Sequence, residues 1–203
     1  LGGILSDRYG VDLNKLRWLS NRSSNVFKLH KKIDIKLASG PAKDPWDRLL
    51  DGEVDAIISD ISFGDIWRRL ESDQRIRRLF PDYMLEDRNV YQEMGIYPPM
   101  HMIVMSRKLD QERPDFARLV YEAFDAAKAQ AYTDILNDRA GFSVVYLRER
   151  LEQQIAEWGD PWVYGVAANR RMIDAFNRYN FEQGITSRML TDEELFAGST
   201  VDT

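Results

Sequence analysis

The sequence predicts an α/β protein, on three observations. A capped helix runs through "DGEVDA" into an apolar run that reads as a buried strand. Short strands alternate with short helices over the first half of the chain. One further apolar run, followed by long helical patterns, fills the second half. A helix leading directly into a strand favours parallel strands, because parallel neighbours need a crossover connection.

The elements follow in order. Residues 1–9 form a helix from Leu1, Ile4, Leu5 and Tyr9, and Gly10 stands at its stop position. Leu16 to Leu19, with Trp18, reads as a strand. Asn21 to Asn25 is a polar loop. Ile33, Ile35 and Leu37 alternate with polar residues, a strand pattern. Asp44 caps the next helix, Pro45 takes its first position and Gly52 ends it. Trp46, Leu49 and Leu50 form its apolar face. Val54 to Ser59 is the buried strand that follows, and Asp65 to Leu70 is a short helix.

Residues 71–95 are charged and irregular, with a helix around Glu86 to Met94. Pro98-Pro99 excludes a helix. Met100 to Met105 (MHMIVM) reads as another buried strand. A long helix opens near Pro114, with Phe116, Leu119, Val120, Ala123, Phe124, Ala127 and Ala131 on one stripe. Leu147, Leu151, Ile155 and Trp158 mark another helix. Met172, Ile173, Phe176 and Tyr179 mark a third, which stops near Gly184. Thr191 and Glu194 have capping-box spacing before Leu195 and Phe196. The change of character near residue 96 divides the chain into residues 1–95 and 96–203.

Composition narrows the function. The chain has 203 residues, 28 Lys plus Arg against 33 Asp plus Glu, and a net charge of −5. That balance argues against a dedicated nucleic-acid binder. There is no cysteine, which excludes disulfides, thiolate metal sites and cysteine nucleophiles. Two histidines leave little for a metal site, and nothing in the sequence calls for a metal or organic cofactor. No apolar run approaches the roughly 18 to 20 residues of a membrane span. No signal-peptide pattern is visible at Leu1. Phosphate-binding, zincin and nucleophile-elbow motifs are missing.

Two places can carry chemistry. Ser59-Asp60-Ile61-Ser62 follows the carboxyl end of a predicted strand, where open α/β sheets bind ligands. There, Ser59 and Ser62 can donate to a carboxylate and Asp60 can hold a hydroxyl. The plainer alternative is a polar loop capping the next helix. His101 follows Tyr97-Pro98-Pro99 and can serve as a general acid near neutral pH. Its alternative is a half-buried histidine bonded to backbone. His30 lies in a solvated basic patch. Arg68-Arg69 and Arg75 to Arg78 can clamp an anion, but solvated helix faces balanced by nearby Glu71 and Asp73 are the better account. Trp158, Trp162 and Tyr164 can line a pocket or pack a core.

The order of several segments carries more information than any one motif. "LGGILSDRYGVDLNKLRWL", "LLDGEVDAIIS", "RRLFPDY", "GIYPPMHMIVM", "YGVAANR" and "LTDEELFAGST" resemble, collinearly, segments of the 4,5-dihydroxyphthalate decarboxylase family. In many relatives the loop after the second of these contains proline. Here it reads Asp60-Ile61-Ser62-Phe63-Gly64. The resemblance implies a type II periplasmic-binding-protein-like fold, two α/β lobes around a cleft, with the first lobe incomplete in this chain. Residues 1–95 would be the second lobe and 96–203 the returning part of the first.

The resemblance also implies a cytoplasmic decarboxylase of a dihydroxylated aromatic acid, turning 4,5-dihydroxyphthalate into protocatechuate and carbon dioxide. On that reading His101 is the acid, Asp60 the hydroxyl acceptor, and Ser59 and Ser62 the carboxylate donors. The partner is a small aromatic carboxylate or other organic anion, and a homo-oligomer is compatible with the sequence. The same scaffold also suits a periplasmic solute-binding protein of an ABC transporter or a ligand-sensing module.

Overall fold

The computed structural model describes residues 1–20, 35–38, 43–59, 64–98 and 101–203; for 64–67 it describes the backbone alone. The described chain is mostly helical, with a small two-stranded parallel sheet. Its helices are α1 (Gly2–Tyr9), α2 (Pro45–Leu50), α3 (Gly64–Ser72), α4 (Tyr83–Met94), α5 (Arg107–Glu112), α6 (Phe116–Leu136), α7 (Leu147–Trp158), α8 (Arg170–Glu182) and α9 (Asp192–Leu195). Strand β1 (Trp18–Ser20) pairs in parallel with β2 (Ile35–Leu37), placing Trp18 beside Ile35 and Ser20 beside Leu37. The chain divides into two compact units. Residues 1–87 and 178–188 form the first, and residues 88–177 and 189–203 the second.

Local chemistry explains many element ends. Gly10 ends α1 in the left-handed conformation, at φ 66°. Asp44 accepts the Trp46 N–H at 2.9 Å, and Pro45 opens α2 where no N–H is needed. Past that helix, the Gly52 N–H reaches Leu49 O and the Glu53 N–H reaches Arg48 O, a Schellman stop. Gly184 and Ile185 close α8 in the same way, onto Phe181 O and Asn180 O. Thr191 and Glu194 form the expected capping box of α9.

Each unit buries a few residues of its own. In the first unit these include Gly3 on α1 and Trp46 and Arg48 on α2. In the second they are Ile96, Leu151, Val166 and Ile173.

Three expectations fail here. Residues 54–59 form no strand, and Ile58 and Ser59 are exposed. Residues 101–106 form none either, and Val104 is 88% exposed. A strand must give its backbone donors and acceptors to a neighbour. Among the described residues the only ladder joins β1 to β2, so apolar periodicity alone does not make these runs strands. The third failure concerns α6. The helix is present, but Leu119, Ala123, Phe124, Ala127 and Ala131 of its apolar stripe are exposed. Phe116 and Val120 of that stripe are half-covered, as are Lys128 and Tyr132, and α6 packs along α7.

Candidate functional site

The residues predicted to carry chemistry are distributed as follows. Ser59 is exposed, in the first unit, past the non-helical run 54–58. His101 is exposed, in the second unit, also outside regular structure. Asp60, Ser62 and His30 lie outside the described residues. Several of the arginines are engaged as surface groups. Arg75 forks onto Asp73 at 2.9 and 2.7 Å, and its hydrogen bonds lower the Asp73 carboxyl to about 2. Arg69 reaches Asp44 at 3.2 Å. The Arg78 guanidinium lies over the Tyr83 ring at 4.2 Å.

A small open pocket lies within the second unit. Tyr91, Gly95, Tyr97, Asp160, Pro161, Val163, Ala168, Asn169 and Met172 line it. Its position follows from local folding. Gly95 turns the chain out of α4 at φ 65°, and Ile96 is buried just after it. Tyr97 is thereby held against the Trp158–Trp162 segment. Its ring meets Trp162 edge-on at 4.7 Å and Trp158 edge-on at 5.6 Å. Tyr91 lies 5.4 Å from Trp158 and 6.2 Å from Tyr97. The tryptophans pack the support, and the two tyrosines line the pocket.

The polar side of the pocket is built on Asp160. Its Oδ1 accepts the Trp162 N–H at 2.9 Å and its Oδ2 accepts Lys128 Nζ at 2.7 Å. Lys128 also donates to Trp162 O at 3.0 Å and sits over the Tyr164 ring at 4.7 Å. This charge pair therefore comes with further hydrogen bonds, the arrangement that offsets partial burial. Tyr132 reaches Asp160 Oδ1 at 3.4 Å, and burial first, then the Asp160 charge, pushes its phenol up.

Asn169 is equally fixed. Its Nδ2 donates to Val163 O and Gly165 O, both at 2.8 Å. Both amide hydrogens are thus used, which leaves Oδ1 as the acceptor end. Arg171 lies against Gly95: a Cβ on that glycine would come 3.0 Å from Arg171 Cδ and 3.1 Å from Nη1.

Neither Asp160, Asn169 nor Arg171 stands out in the sequence. The usable signal was the Gly159-Asp160-Pro161 turn beside three aromatics. Among the described residues, no group of three or more His, Cys, Asp or Glu is placed to hold a metal ion. Nor is any described helix long and apolar enough to cross a membrane.

No family model matches the chain. It is 26% identical over 209 aligned positions to a protein of Comamonas testosteroni named 4,5-dihydroxyphthalate decarboxylase. The alignment covers 98% of this chain and 62% of that protein, so the chain spans less than two thirds of the relative's length.

Proposed function

We propose that the protein is a carboxy-lyase acting on a dihydroxylated aromatic acid, with 4,5-dihydroxyphthalate as substrate and protocatechuate and carbon dioxide as products. The observation that carries this reading is the alignment with the decarboxylase over 98% of the chain. Within the second unit, "GIYPPM" and "YGVAANR", two of the segments that carry the resemblance, both contribute to one pocket, through Gly95, Tyr97, Ala168 and Asn169.

The fold proposed with it is type II periplasmic-binding-protein-like, with residues 1–95 and 96–203 in different lobes. His101 supplies a proton to the ring carbon that bears the departing carboxylate. The carbon–carboxylate bond then breaks, its electron pair returns to the ring and carbon dioxide leaves. Asp60 accepts from a ring hydroxyl, while Ser59 and Ser62 donate to the carboxylate that stays.

The test is incubation of the protein with 4,5-dihydroxyphthalate, following carbon dioxide and protocatechuate. Stoichiometric release, lost in a folded His101→Ala variant, is the expected result. Thermal stabilisation by the acid with no release would replace the lyase by a binding protein. Full turnover by His101→Ala would remove that residue's role as acid.

A further inference from the structure

We propose that Met102–Met105 is a docking strand of the second unit. Its partner is a polypeptide of the kind that the decarboxylase relative carries beyond the alignment. This rests on the two-lobed fold proposed above and adds the surface through which the incomplete lobe is completed.

The segment has the sequence of a strand. Met102, Ile103, Val104 and Met105 carry no charge, and the two β-branched residues at the centre favour extended, packed backbone. Both ends are tied down. On one side Ile96 is buried and Tyr97 packs against Trp158 and Trp162. On the other, Ser106 caps α5 by accepting the Leu109 N–H at 3.2 Å. Yet among the described residues no hydrogen bond pairs the backbone of residues 102–105. Met102, Ile103 and Val104 are 62, 64 and 88% exposed.

What the segment lacks defines its partner. Its backbone donors and acceptors call for a second backbone with its own still to give, which a strand has and a helix interior does not. Successive side chains in a strand point to opposite faces, so pairing would put Ile103 on one face and Val104 on the other. Both are open, so the strand needs cover on two faces, as one inside a parallel sheet does.

A second copy of this chain, pairing the segment with itself across a two-fold axis, would satisfy one edge and leave the other open. A single short peptide would do no more. Filling both edges and both faces takes several elements. The relative has that much to give, since more than a third of its length lies beyond the alignment. The same unit leaves Leu119, Ala123, Phe124, Ala127 and Ala131 of α6 exposed, a helix face on which a further layer can pack.

The experiment compares the 203-residue chain with a chimaera. In the chimaera the chain is joined to the unaligned part of the Comamonas testosteroni protein, in the order the parts take in that protein. Amide hydrogen exchange is read at residues 102–105, and melting temperature is measured with and without Val104→Pro. In the chain alone these amides should exchange as unstructured backbone does. In the chimaera they should slow by about a hundredfold or more, as paired strands do. Val104→Pro removes an N–H that is unpaired in the chain alone, so the melting temperature of that chain should not change. The same substitution should lower that of the chimaera and abolish the protection.

Equal exchange in chain and chimaera would overturn the proposal, and so would protection in the chimaera that survives Val104→Pro. Strong protection in the chain alone would also overturn it, and a dependence on concentration would then identify a second copy as the partner. Turnover of 4,5-dihydroxyphthalate by a chimaera whose residues 102–105 exchange freely would leave the lyase standing and remove the docking strand. Protection without turnover would keep the docking strand and remove the lyase.

Discussion

The ring of Tyr179 lies so close to Gly3 that a Cβ on that glycine would come within 2.2 Å of ring carbons Cγ and Cδ1. No rotamer change at residue 3 relieves such a contact, because Cβ is fixed by the backbone. Gly3→Ala should therefore destabilise the protein by about 1–3 kcal/mol, the usual cost of overpacking. Gly2 is the control. A Cβ there meets the end of the Gln183 side chain at 3.2 Å, which can move. Gly2→Ala should be neutral or gain up to about 1 kcal/mol in helix propensity. Urea denaturation of the two variants checks the contrast.

Tyr179 also makes the first unit sensitive to pH at both extremes. Its hydroxyl donates to Asp7 Oδ2 at 2.8 Å. Burial first, then that hydrogen bond, raises the phenol from 10.0 to about 12. A raised pKa means stability that is complete below pH 10 and lost as pH rises from about 10 to 12. Asp7 moves the other way: its hydrogen bond with Arg178, more than any other contact, lowers it below 3.8. Its contribution is complete above that value and is lost as pH falls through the lower folded value. Tyr179→Phe keeps the ring under Gly3 and deletes the hydroxyl. The difference between wild-type and variant absorbance titrations should isolate one phenol ionising near pH 12. A difference centred near pH 10 would refute the assignment.

Much of the local structure was legible in the sequence, because local signals set it. Asp44-Pro45 with Gly52, Gly10 after α1, Gly184 after α8 and Thr191 with Glu194 each satisfy backbone groups within a few residues. The strands read at 54–59 and 100–105 depend on partners elsewhere, which no periodicity supplies. The apolar stripe of α6 is real as a pattern, yet a pattern does not say what covers it. The pocket was the least legible part. Arg170 with Asp192 and Lys128 with Asp160 join residues 22 and 32 positions apart, and nothing in their neighbours marks them as pairs. Pro98-Pro99 marks a local break after Tyr97, but says nothing of the Trp158 and Trp162 rings that Tyr97 meets.

The second unit contains a glycine with less freedom than Gly3. Gly165 has φ 105°, and a Cβ there would come 2.8 Å from the carbonyl carbon of Thr203 and 2.9 Å from its oxygen. These are backbone atoms, and Thr203 also receives the Val166 N–H on Oγ1 at 3.2 Å and the Ala167 N–H on its carbonyl. Gly165→Ala should cost about 2 kcal/mol or more, from conformational strain and displacement of Thr203. Gly198, with nothing within 4 Å of its Cβ position, should accept alanine with little change. Similar melting temperatures for the two variants would contradict this packing.

Asn177 provides a test in which donor and acceptor can be separated. Its Nδ2 donates to Leu190 O at 2.6 Å and its Oδ1 accepts the Leu190 N–H at 3.0 Å. One side-chain amide thus substitutes for a strand neighbour, pairing both backbone groups of Leu190 in a half-buried position. Asn177→Ala leaves both without that partner and should cost about 1–3 kcal/mol. Asn177→Asp keeps the acceptor but turns a charged oxygen toward Leu190 O, so at pH 7 it should be no more stable than the alanine variant. Lowering the pH protonates the new carboxyl and restores a donor. Asn177→Asp should therefore gain stability relative to Asn177→Ala as pH falls through its carboxyl pKa, and a constant gap between the variants from pH 7 to pH 3 would show that the paired amide is not what holds Leu190.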